Sequence, residues 1–184
     1  MTNVAEVYQM PLLASCAWVA LFYVFVGYQR AVKYSILHKH PTFCRYKNNF
    51  DPPTESNQKI AGKLQAQLTA ADRTIGNLLE QAPAFLVTLW MYSVAVDAHY
   101  GGKLGFCYVG FRSLYPFLLG RELKKNNSKR VYVATLPCYC IIFYFFSSVI
   151  SSSLPGSLFP LSSGVLGCLF VFFAWAGLHL IVAS

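Results

Sequence analysis

Residues 7–29, VYQMPLLASCAWVALFYVFVGYQ, run without a charged side chain. A helix of that length crosses the roughly 30 Å hydrocarbon core of a bilayer. The residues before it hold Glu6 but no Lys or Arg, whereas a cleaved signal peptide opens on a basic segment. The stretch therefore reads as a retained first span. From Val131 to Ser184 there is again no Asp, Glu, Lys or Arg, and the Ser/Pro/Gly-rich piece 151–164 divides that tail in two. Apolar runs at 81–96 and 104–120 complete the set. The expectation is an all-α membrane bundle forming one domain over 1–184, with spans near 8–30, 72–98, 104–121, 130–151 and 163–183.

Composition agrees. Of the 184 residues 55% are hydrophobic, 16% aromatic and 12% charged. That charged share is about half the usual one for a soluble domain. One soluble core cannot hide so much apolar surface, and the aromatic content is the reverse of a disordered chain. The net charge of +8 would suit a nucleic-acid surface only if the basic residues shared a face. They do not. Eight of the 15 fall between Arg30 and Arg73, and five crowd the connector Arg121–Arg130, in both cases beside apolar runs. Read as topology determinants, they place the N-terminus on the lumenal side and the C-terminus in the cytoplasm. The sequon Asn126-Asn127-Ser128 then falls in a cytoplasmic loop and is read as chance.

The polar loop Arg30–Gln67 ends in Ile60, Leu64 and Leu68, spaced by four, an amphipathic lead-in to the second span. Tyr100-Gly101-Gly102-Lys103 reads as a turn before the third span. The six cysteines form neither a CxxC pair nor a disulfide framework. His38, His40 and Cys44 match no zinc spacing, so no metal is expected. His179 reads as an interior or boundary histidine.

The informative residues are those that an apolar bundle does not need. The second span opens as Asp72-Arg73-Thr74-Ile75-Gly76-Asn77-Leu78-Leu79-Glu80-Gln81-Ala82-Pro83. Arg73, Asn77 and Glu80 stand at i, i+4 and i+7, one helical stripe carrying a cation, an amide and a carboxylate. Pro83 cannot donate to Leu79, which frees a carbonyl there. Arg112 lies inside the third span, where exposure to lipid costs several kcal/mol, about 3 on insertion scales. It is expected to face inward and pair with a carboxylate, Glu80 in preference to Asp97. Tyr115 follows one turn later. A structural pair alone would not need Arg73, Asn77, Gln81, Tyr115 and the Arg121–Arg130 cluster on one side of the membrane. A polar ligand with carboxylates would.

At these residues the chain resembles the membrane-associated proteins in eicosanoid and glutathione metabolism, the MAPEG family. This family includes the microsomal glutathione transferases, leukotriene C4 synthase and prostaglandin E synthase. The resemblance rests on Arg73–Asn77–Glu80–Pro83 in the second span and Arg112–Tyr115 in the third, over roughly residues 8–150. It implies four family-like spans with a fifth added, and a homotrimer in the endoplasmic reticulum holding glutathione as co-substrate between subunits. It also implies that Arg73, Asn77, Glu80, Arg112 and Tyr115 belong to or support that site, with Arg30 reaching it. Arg130, with Arg121 as the fallback, would stabilise the thiolate.

The resulting expectation is a glutathione-dependent transferase or peroxidase acting on a lipophilic electrophile or hydroperoxide. Two departures motivate an alternative. Leu119 stands where the family usually has a second Tyr, and the expected thiolate Arg falls nearer Asn127 or Ser128 than Arg130. With the extra span, these suit a non-catalytic lipid-binding or scaffold subunit of a larger membrane complex.

Overall fold

A computed structural model of the protein describes residues 4–39, 55–120 and 127–153, with side chains for 4–39, 60–120 and 130–153. The expected fifth span, His40, Cys44, Arg121 and His179 lie outside these residues. Every described element is an α-helix: α1 Val4–Val7, α2 Gln9–Lys39, α3 Glu55–Ala95, α4 Ala98–Ser113, α5 Tyr115–Leu119 and α6 Asn127–Ser153. Within them, Gln9–Lys39 and Arg130–Ser153 are long and apolar enough to cross a membrane.

The lead-in and the second apolar run form one helix of 41 residues, α3, which continues past Pro83. Leu64 and Leu68 bury against Ile36 of α2, while Ile60 stays exposed at the edge. Further along, Ala71, Ile75, Leu78, Ala82, Phe85, Leu89 and Tyr92 are all buried. Their alternating spacing of four and three is the stripe that packs a helix along its neighbours. Phe85 stacks on Tyr108 of α4 with ring centroids 3.8 Å apart, and Cys138 and Phe145 bring α6 into the same core. The outer surface keeps Val24, Val87, Val94, Phe117 and Val133 exposed, the mark of a bundle whose outside meets lipid.

Tyr100–Lys103 are helical, which corrects the turn read from Gly101-Gly102. Asp97 caps α4, its side chain accepting from the Tyr100 amide at 2.9 Å. The glycines serve packing instead. A methyl group at Gly102 would collide with Met10 and lie 2.8 Å from the Pro11 nitrogen, and one at Gly105 would lie 2.9 Å from the Ala14 Cβ. Small residues at that spacing let α2 and α4 approach backbone to backbone.

Pro116 has no amide to continue the α4 ladder, so α4 stops at Ser113 and α5 restarts at Tyr115. Gly120, with φ 73°, ends α5. This break turns Tyr115 and Leu119 into a small cluster with Ala70 of α3 and Val131 of α6. Leu119, where the resemblance leads to the expectation of a tyrosine, is thus a packing residue.

Candidate functional site

The α3 stripe forms the floor of an open recess of about 450 Å³, lined by Thr69, Asp72, Arg73, Gly76, Asn77, Glu80 and Tyr115. Residues 69, 73, 76 and 80 succeed one another at helical spacing, so one face of α3 supplies most of the lining. Tyr115, the first residue of α5, joins the recess from just beyond the α4–α5 break. Arg73 and Glu80 stand exposed, and neither takes part in an ion pair among the described residues.

Asp72 is held from α2. The Gln29 Nε2 donates to Asp72 Oδ1 at 2.7 Å, and Lys33 Nζ lies 3.4 Å from the same oxygen.

Behind the recess lies Arg112, only 1% exposed. Its Nη2 donates to both the Asn77 carbonyl and Asn77 Oδ1, each at 2.7 Å. Asn77 Nδ2 in turn donates to the Tyr115 hydroxyl at 2.8 Å. The guanidinium carbon lies 5.3 Å from the Tyr115 ring centroid, in reach of a cation–π contact. The expected Arg112–Glu80 pair is therefore corrected. Asn77, one turn before Glu80, faces α4 and takes the guanidinium, while Glu80 points to the open side. The physical reason is helical phase: positions 77 and 80 lie only about 60° apart around the axis, so the rotation of α3 against α4 decides which of the two meets Arg112.

Arg112 Nε and Nη1 and Gln81 Nε2 are buried without an acceptor among the described residues. Gln81 Oε1 accepts from Tyr108 at 3.2 Å, so the α3–α4 seam is polar for one further turn. Sequence reasoning passed over Tyr108, Thr69 and Gly76. The last two were legible as the continuation of the Arg73 stripe; Tyr108 carried no comparable signal.

The structure thus brings Arg73, Asn77, Glu80 and Tyr115 to one recess, with Arg112 as its buried support. It does not bring Arg30 or Arg130 there. Both are exposed and absent from the lining. A separate groove of about 360 Å³ between α2 and α3, lined by Tyr28, Val32, Ser35, Lys39 and Gln67 among others, holds none of the expected site residues. His38 stacks on Tyr34 with centroids 6.0 Å apart.

Comparison with curated proteins and with solved structures gave no match. The MAPEG family model, in contrast, matches residues 10–150 of the 184, a range holding α3, α4 and α5 whole and α2 and α6 save their ends, and with it the recess and the buried Arg112. The chain therefore belongs to the MAPEG family of integral membrane helical bundles.

Proposed function

We propose that this protein is a glutathione-dependent transferase or peroxidase that activates the glutathione thiol for attack on a lipophilic electrophile or hydroperoxide. The observation that carries the reading is the recess, where Arg73, Asn77, Glu80 and Tyr115 line one concavity open to the outside. Glutathione presents two carboxylates and an ammonium. Arg73 matches a carboxylate with a planar fork, and Glu80 matches the ammonium. The Asn77 amide and the Tyr115 hydroxyl add directional hydrogen bonds.

Arg30 and Arg130, exposed on their own chain, serve a recess across a subunit boundary in a homotrimer. Arg130 is the residue assigned to the thiolate, with Arg121 in reserve. Lowering a thiol pKa from about 8.5 to about 6.5 requires close to 2.7 kcal/mol of preference for the anion. One guanidinium in a dry site supplies interaction of that order.

In transfer, the thiol proton leaves to solvent and the sulfur lone pair forms an S–C bond. The leaving group departs with its electron pair, or an unsaturated acceptor takes up a proton. In peroxide reduction, sulfur attacks the O–O bond and releases the alcohol. A second glutathione then yields the disulfide and water. The acceptor arrives through the lipid phase. The endoplasmic reticulum, with the N-terminus lumenal, is the proposed location.

The test is glutathione binding and conjugation of an aromatic halide by purified full-length protein. Arg73→Ala is expected to weaken glutathione binding by about a hundredfold, the loss of a charge-assisted bidentate contact of about 3 kcal/mol. Arg130→Ala is expected to lower turnover while binding persists. Absence of glutathione binding at millimolar concentration would refute the reading. One observation favours a second reading, a non-catalytic lipid-binding or scaffold subunit: Arg130 does not line the recess of its own chain. Co-purification with a larger assembly whose function survives Arg130→Ala would support that reading instead.

A further inference from the structure

The contacts of Asn77 settle which way its amide faces. A guanidinium has donors and no acceptor, so the side-chain atom 2.7 Å from Arg112 Nη2 has to be the oxygen. The atom facing Tyr115 is then the NH2 group, which can only donate. The Tyr115 oxygen accepts that bond at 2.8 Å, so its own proton is not spent on Asn77. Tyr115 is only 4% exposed, yet it lines the recess, and its hydroxyl makes no other hydrogen bond among the described residues.

We infer that Arg112 is a positioning residue which, through Asn77, aims the Tyr115 hydroxyl proton into the recess as a donor to the glutathione thiolate. Three donors then point the same way: guanidinium to amide oxygen, amide nitrogen to phenol oxygen, phenol proton to sulfur. Each bond polarises the next, so part of the effect of a buried positive charge reaches the recess without Arg112 touching the ligand. The Arg112 guanidinium near the Tyr115 ring favours the same polarisation. Arg112 has no carboxylate partner among the described residues, which leaves its field uncancelled. The inference rests on glutathione occupying the recess and adds a second donor to the one proposed for Arg130.

The near-isosteric Asn77→Asp substitution reverses the chain. A carboxylate accepts on both oxygens, so Tyr115 has to donate inward. The same change gives Arg112 a counter-charge and keeps the packing. The experiment uses full-length protein in detergent with reduced glutathione. It follows thiolate absorbance against pH, with binding by calorimetry and thermal unfolding measured in parallel. Asn77→Asp is expected to unfold no earlier than the wild type and to bind glutathione. Its thiol should titrate about one pH unit higher, leaving about tenfold less thiolate at neutral pH.

Tyr115→Phe is expected to produce a similar shift, with the double variant shifting no further than either single one. Simple repulsion by the new carboxylate would instead make the two shifts add, which overturns the relay. A wild-type titration curve in glutathione-bound Tyr115→Phe overturns it as well, whether or not Asn77→Asp folds. Either result leaves the glutathione reading standing. A wild-type protein that binds no glutathione removes both.

Discussion

The two ends of α4 are built on opposite principles. At its start, Gly102 and Gly105 press against Met10, Pro11 and Ala14 of α2, and the nearby Ser93 hydroxyl bonds to the Leu89 carbonyl of its own helix. There, close helix–helix contact and the Asp97 cap supply the stabilisation. At its end, a fully buried Arg112 meets α3 through Asn77, and the chain breaks to bring Tyr115 to an open recess. That end has buried Arg112 donors without an acceptor among the described residues, and an open recess beside them. The contrast separates what holds the bundle together from what it opens to the outside. Both share the α3–α4 seam, linked by the Phe85–Tyr108 stack.

The comparison breaks most visibly at the tight end. Gly102→Leu inserts a side chain where even a methyl group collides, and a loss of about 3 kcal/mol or more is expected. Thermal unfolding in detergent would read it, and a wild-type melting temperature would show that the seam is looser than described. At the open end, Tyr115→Phe removes one hydrogen bond and is expected to cost about 1 kcal/mol of stability. Its effect on glutathione chemistry should be the larger one, reversing the order seen at Gly102. The smallest change is expected at the α2–α3 clamp. There Asp72→Asn removes a partly exposed ion pair while keeping an oxygen for the Gln29 bond, for about 0.5 kcal/mol or less. A large loss at Asp72 would mean that the clamp, not the seam, positions the recess.

Much of the candidate site is legible in the sequence. Arg73, Asn77 and Glu80 announce themselves because charged groups at helical spacing have no reason to open an apolar span. The partner of Arg112 was not legible. A preference for carboxylates over amides favoured Glu80, but the choice depended on the phase of α3 relative to α4, and spacing within one helix does not contain that angle. Gly101-Gly102 misled for a related reason. Glycine marks turns in isolated chain and close contact between packed helices alike, and only the presence of Met10 and Pro11 across the gap distinguishes the two.

By itself, the sequence determined the helical class, the membrane setting and the α3 stripe, since these depend on hydropathy and periodicity along one chain. Tertiary structure alone decided that Asn77 rather than Glu80 receives Arg112, and that the α4–α5 break carries Tyr115 to the recess. It also left Arg30 and Arg130 outside that recess. These outcomes turn on the relative rotation of helices distant in sequence, a quantity set by how Gly102, Gly105 and the Phe85–Tyr108 stack pack.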